Sequence, residues 1–246
     1  MAIDMKAMRA KLNALKNGGS KNNFWRPQDG DQDVRIVTPE DGDPFKDYYF
    51  HYNVGSNSGF LCPKKNFGDD CPVCTFVRAL YDEGTEESVK MAKSLTARQR
   101  FFSPVLVRGE EKQGVRIWGY GKTAYETLLT LVLNPDYGDI TDVDEGTDLT
   151  VNYGKPAGAS FPQTKIQPRR KTSKLVDSQE HVAELLENIP TIDGLFEKKT
   201  TEEVEALLDA FLSDDDDAEE RSSESHRYSA EKETSSVDEA FDQLLA

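Results

Sequence analysis

Apolar residues recur at three- and four-residue spacing at the start of the chain, where Met5, Met8, Leu12 and Leu15 line one side of a helix of about three turns, ended by Gly18 and Gly19. From about Phe24 the period shortens to two. Runs rich in β-branched and aromatic residues follow at 34–37, 47–54, 101–108, 114–120 and 149–153, most of them bounded by turn residues. Helical spacing returns between them at 74–81, 86–97, 124–133 and 179–189. Strands alternating with single helices over roughly 175 residues predict a small α+β domain built on a twisted antiparallel sheet or small barrel.

Thr200 followed three residues later by Glu203 forms a capping-box pattern, which predicts a helix through Leu212. Residues 213–237 are rich in Asp, Glu and Ser with almost nothing apolar, so burial cannot offset the entropy of ordering and this stretch is expected to be disordered. Val237, Phe241, Leu244 and Leu245 then fall on one side of a short terminal helix, an apolar hook that fits a protein partner. The chain therefore reads as an arm over 1–23, a core over 24–199, a helix over 200–212 and a tail over 213–246.

Charge follows the same divisions. The net charge of -15 would count against a nucleic-acid partner, but residues 201–246 carry 16 acidic against 3 basic residues, a net of -13. Residues 1–26 run the other way, with Lys6, Arg9, Lys11, Lys16, Lys21 and Arg26 opposed only by Asp4. A basic amphipathic arm fits either docking on its own domain or contact with a neighbouring copy or a polyanion. Few cysteines and the lack of a signal-like or long apolar segment predict a soluble intracellular protein with reduced thiols and no membrane partner.

All three cysteines and one of the three histidines lie in the stretch HYNVGSNSGFLCPKKNFGDDCPVC, residues 51–74. His51, Cys62, Cys71 and Cys74 are separated by 10, 8 and 2 residues and offer one nitrogen and three sulfurs. That is the ligand set of a closed, tetrahedral structural zinc site, and one Zn2+ is the expected cofactor. Redox use of the Cys71–Cys74 pair leaves Cys62 without a role. A zinc nucleobase deaminase needs a Glu two positions after its histidine, where this chain has Asn53, and four protein ligands leave no position for an activated water. No Gly-rich phosphate loop or nucleophile elbow is present, and His181 and His226 read as surface residues, so no catalytic residue is assigned and a non-enzymatic role is expected.

Cations and aromatic rings interleave in the next segment. Arg98, Arg100, Phe101, Phe102, Arg108, Lys112, Arg116, Trp118, Tyr120 and Lys122 are opposed only by Glu110 and Glu111. Such a mixture suits single-stranded nucleic acid, whose phosphates attract cations and whose unstacked bases stack on flat rings. Period two puts Arg116, Trp118 and Tyr120 on one face, opposite Val115 and Ile117, which predicts exposed Trp118 and Tyr120 rings; the competing reading places them in the core of the sheet. A second basic stretch, 161–174, contains Lys165, Arg169, Arg170, Lys171 and Lys174, no acid, and two prolines, and reads as an extended basic loop with Phe161 as a further ring. The expected single-strand contacts are Arg98, Arg100, Arg116, Lys122, Arg169 and Arg170 for phosphates, with Phe102, Trp118, Tyr120 and Phe161 for bases.

In this order, the segments resemble the single-stranded-DNA-binding protein of T-even-type bacteriophages, the gene 32 protein family. The matching stretches are Val34-Arg35-Ile36-Val37-Thr38-Pro39, then His51, Cys62 and Cys71-Pro72-Val73-Cys74, then 94–107, Gly121-Lys122, and the acidic tail that ends in leucines. The resemblance implies an OB-fold core with a zinc subdomain over about 47–97 and a DNA cleft between them. It also implies an arm for head-to-tail self-association on DNA, carried here by Lys6, Arg9 and Lys11, and a tail that recruits phage replication and recombination proteins through Phe241, Leu244 and Leu245. The cytoplasm of an infected bacterial host is the implied location. Two features depart from the family pattern: the arm's cations are spread along a helix rather than run together, and Arg169-Arg170-Lys171-Thr172-Ser173 places such a run inside the core. A zinc-stabilised protein–protein adaptor without intrinsic nucleic-acid affinity is the alternative reading.

Overall fold

The computed structural model describes residues 23–54, 57–159, 161–191 and 195–221, so Lys6, Arg9 and Lys11 of the predicted arm and Phe241, Leu244 and Leu245 of the predicted hook lie outside the described residues. Among the described residues, eight strands and six α-helices make a mixed α+β fold, and none of these helices is long and apolar enough to cross a membrane. In chain order the elements are β1 (Phe24–Trp25), β2 (Gly30–Ile36), β3 (Lys46–Val54), β4 (Asn57–Leu61), α1 (Pro63–Phe67), α2 (Pro72–Glu83), α3 (Glu86–Leu95), β5 (Arg98–Val107), β6 (Arg116–Tyr120), α4 (Lys122–Val132), β7 (Gly146–Gly154), β8 (Gln163–Ser173), α5 (Gln179–Glu187) and α6 (Thr201–Arg221). They divide into two units, the first drawn from 1–46 and 101–195 and the second from 47–100 and 196–246.

The first unit is built on strands in the order β1-β6-β5-β2-β7-β8, antiparallel except for the parallel β1–β6 pair. Period two is visible in β2, where Val34 and Ile36 enter a core with Val105, Val107, Trp118, Leu128, Leu149 and Val151. The stretch expected to be a loop at 161–174 is instead strand β8. Pro168, which argued against a strand, is tolerated because β8 is an edge strand and the missing donor removes no ladder bond from a second neighbour.

Arg35 lies between Val34 and Ile36 and points to the other face, yet it is fully buried, with 0% of its surface exposed. Such a charge persists only when its donors are filled. Arg35 Nε donates to Asp148 Oδ1 at 2.9 Å, Nη1 to the Asp142 carbonyl at 2.9 Å, and Nη2 to the carbonyls of Gly146 and Ser173 at 2.9 Å each. Arg108 grips the same carboxylate, with Nη2 2.8 Å from Asp148 Oδ1, and its other donors reach the carbonyls of Leu175 at 2.6 Å and Lys174 at 2.9 Å. The Ser173 hydroxyl donates to Asp148 Oδ2 at 2.9 Å. The register between β7 and β8 shifts between Thr147 and Leu149, which is where Asp148 leaves the ladder to meet both guanidiniums. Gly146 is required beside it: a Cβ there would lie 2.2 Å from the Asp142 carbonyl oxygen and 2.5 Å from Arg35 Nη1.

The second unit contains the β3–β4 hairpin and helices α1, α2, α3 and α6, around a core of Val54, Phe60, Val73, Val77, Leu80, Leu95, Val204 and Leu208. The capping box of α6 is formed: Thr200 N–H donates to Glu203 Oε2 at 2.7 Å, and Glu203 N–H to Thr200 Oγ1 at 3.3 Å. This helix was expected to end at Leu212, but it runs on to Arg221. Once nucleated and capped, a helix adds one hydrogen bond for each residue it fixes, and that carries it into a stretch without apolar anchors.

Burial alone would raise the Asp148 pKa, but hydrogen bonds and charge from Arg108 and Arg35 outweigh it and hold the carboxyl below its ordinary 3.8. A lowered folded-state value contributes stability above the unfolded pKa, and that contribution is lost as pH falls through the folded one. Asp148→Asn should therefore cost on the order of 3 to 5 kcal/mol at neutral pH by stranding Arg35. Denaturant unfolding at a series of pH values should show the gap between wild type and variant narrowing below about pH 4.

Candidate metal centre and nucleic-acid surface

Two Cys-Pro dipeptides start helices in the second unit. Cys62 is the N-cap of α1 and Cys71 the N-cap of α2, with Pro63 and Pro72 in the first helical turn, where a missing N–H costs nothing. Cys62 Sγ accepts from Lys65 N–H at 3.4 Å, while Cys74 sits in the first turn of α2. Helix α1, five residues long, is too short to show an apolar period, although the same Cys-Pro start stands in front of both helices.

Strand β3 delivers His51 to these sulfurs. Its Nε2 lies 3.5 Å from Cys71 Sγ and 3.4 Å from Cys74 Sγ, and Cys62 Sγ is 3.5 Å from Cys74 Sγ. The four ligand atoms all lie within 4.8 Å of one another and can hold a metal ion. A tetrahedral ion about 2.3 Å from each sulfur and 2.0 to 2.1 Å from nitrogen would separate sulfurs by about 3.8 Å and sulfur from nitrogen by about 3.6 Å, so the cluster is already close to ligation geometry. His51 Nδ1 is 2.8 Å from the Leu95 carbonyl oxygen. With the proton on Nδ1 donated to that oxygen, Nε2 is the free ligand and the ring plane is fixed.

Without an ion, protons take its place among the ligands, and metal binding would displace them. Burial would lower the His51 pKa, but the sulfurs of Cys62 and Cys71 outweigh it and raise the imidazole to about 9. Hydrogen bonds from Cys71 and Cys74 push the Cys62 thiol down, while hydrogen bonds with Cys62 and Cys71 push the Cys74 thiol up.

The residues expected to touch nucleic acid separate into two sets. Trp118 and Tyr120, expected to be exposed, are buried, at 1% and 4% of their surface, and Phe102 is buried with them. The reason is that the face of Trp118 and Tyr120 looks into the core of the first unit, among Val34, Val105, Ala124 and Leu128, where Trp25 also meets the Trp118 ring edge-on at 5.6 Å. Tyr120 donates to or accepts from Ser103 Oγ at 2.7 Å, and burial raises its pKa well above the usual tyrosine range. Arg116 is nearly buried and committed locally, with Nη2 2.5 Å from Glu110 Oε2 and Nη1 2.9 Å from Gln113 Oε1. Arg108 belongs to the Asp148 network.

The second set stays at the surface. Lys122 is exposed and only loosely paired with Glu126 at 3.6 Å. Arg169, Arg170 and Lys171 are exposed on edge strand β8, where Arg169 pairs with Asp33, and Phe161 is half-buried. Arg98 and Arg100 are half-buried in the second unit.

A cobalt(II) titration of metal-free protein should give thiolate charge-transfer absorption with a one-to-one end point. Cys62→Ser should lose that band while Asn53→Asp keeps it; no band in wild type would reject the cluster as a metal centre.

Residues 28–213 match the family described as gp32 DNA binding protein like. No curated protein matches the chain.

Proposed function

The chain belongs to the gp32-like DNA-binding protein family, and we propose that it binds single-stranded DNA without sequence preference, coating and protecting it during phage DNA replication, recombination and repair. The observation that carries this reading is the match over 28–213, which covers most of the chain and both units. The exposed cations on β8 support it, because affinity for a nucleic-acid backbone comes chiefly from cations that release condensed counterions.

The metal is read as a single structural zinc, since one imidazole and three thiolates are its usual closed set. Bound there, it would neutralise the thiolates and tie β3 to α1 and α2; no open position remains for catalysis. The first unit is read as the family's OB-fold. Phosphate contacts are assigned to Arg98, Arg100, Lys122, Arg169 and Arg170, with Phe161 as a stacking ring. Phe102, Trp118, Tyr120 and Arg116 hold β6 in place rather than meet the strand. The arm over 1–23 is assigned to head-to-tail self-association through Lys6, Arg9 and Lys11. The tail, with Asp214 to Asp217 and the acids after them, competes with DNA for the cations and recruits replication proteins through Phe241, Leu244 and Leu245.

Fluorescence anisotropy with a labelled, unstructured oligonucleotide tests this reading. Affinity should exceed that for duplex and fall steeply with salt, and Arg169→Ala with Arg170→Ala should flatten the log–log salt slope by about 1.4, at about 0.7 for each lost contact. An unchanged slope would remove β8 from the interface, and no salt-dependent binding at all would favour the adaptor. Truncation after Leu212 should tighten binding more at low salt than at high salt, where the tail's charge is screened.

A further inference from the structure

With Phe102, Trp118 and Tyr120 enclosed, the aromatic rings that stand out at the surface among the described residues are Phe67, 42% exposed, and Tyr81, 44% exposed. They differ in what surrounds them. Phe67 ends helix α1, whose exposed face also carries Lys64 and Lys65, and Lys198 Nζ lies 4.5 Å from the centre of its ring. Lys198 is held there by Asp69 Oδ2 at 2.6 Å. The cations at Phe67 are thus partly offset by Asp69 and by exposed Asp70. Lys65 in turn lies 4.7 Å from the centre of the Tyr49 ring.

The support beneath this surface is rigid. Asn66 clamps α1 to β3: its Oδ1 accepts from Tyr49 N–H at 2.9 Å, and its Nδ2 donates to the carbonyls of Tyr49 at 2.7 Å and Cys62 at 2.9 Å. Cys62, one of the four metal-centre residues, caps the same helix. Gly68, at φ 78°, closes α1 with N–H donation to the Lys64 carbonyl and turns the chain away so that Phe67 projects. An exposed ring on a helix clamped by Asn66 and flanked by lysines has the features of a stacking platform for an unpaired base, with cations placed for the adjoining phosphates.

We propose that Phe67 is a base-stacking residue of the second unit, with Lys198 and Lys64 as phosphate contacts, and that the metal centre holds this platform through Cys62. The proposal rests on the single-strand reading above and names a surface for it that the basic–aromatic segment 98–122 does not contain. Stacking needs an unpaired base, so duplex should not engage the ring.

The test uses the full chain, metal-loaded, with unstructured oligothymidylate and a duplex of equal length. Phe67→Trp places an indole at the surface against a steady background from the buried Trp25 and Trp118. Its emission should be quenched by the single strand and not by duplex. Phe67→Ala, at unchanged melting temperature, should weaken single-strand binding about 5- to 150-fold, Tyr81→Ala should leave it unchanged, and Lys198→Ala should flatten the salt slope by about 0.7. Wild-type protein that fails to bind the single strand would defeat the parent reading. Wild type that binds while Phe67→Trp stays unquenched and Phe67→Ala binds equally well would overturn the platform alone, as would an equal loss on single strand and duplex. If Phe67→Ala lowers the melting temperature, quenching of Phe67→Trp decides the question.

Discussion

Three sulfurs and an imidazole held within 4.8 Å impose the constraint on which the second unit depends. Thiolates at that separation repel unless a cation sits among them, and protonated thiols leave polar groups poorly satisfied in a buried place. The elements that bring them together are short: a hairpin strand, a one-turn helix and the first turn of a longer one. None of these would be stable alone, and a one-turn helix is far below the length at which helices persist in water. Structural zinc binding in small sites is worth about 10 to 16 kcal/mol, against a total of about 5 to 15 for a whole domain, so ligation can dominate the stability of such a unit.

The first unit solves a different charge problem. Buried Arg35 and half-buried Arg108 meet one carboxylate, Asp148, and use backbone carbonyls to fill the remaining donors. That network joins β2 and β5 to β7 and to the end of β8, so the edge strand with its exposed cations hangs on the same carboxylate that pairs Arg35 and Arg108. Arginines in this chain therefore do two jobs. Arg35, Arg108 and Arg116 are held by protein acceptors, while Arg170 on β8 is exposed.

This division explains what could be read from the sequence. The metal-centre residues were legible because cysteine is rare here and the donor types and spacing are nearly diagnostic. Strand and helix positions followed from apolar period, and the α6 cap from Thr200 and Glu203. The burial of Trp118 and Tyr120 was not legible, because period two separates the faces of a strand without saying which is covered; residues distant in sequence, among them Val34 and Leu128, share their buried cluster. Strand β8 was obscured by Pro168, whose meaning depends on whether a strand is at an edge. Arg108 and Arg169 look alike in sequence, and only the long-range position of Asp148 tells them apart. Phe67 escaped notice because α1 is a single turn, too short to show a period.

The account ties the metal centre to DNA binding through the elements that the cluster holds. Single-strand affinity and melting temperature, measured on the same sample as isolated, after stoichiometric metal removal, and after zinc is restored, test that link most directly. The account predicts that both fall on removal and both recover on restoration. Metal-free protein that melts as before and binds single strands with undiminished affinity would contradict it.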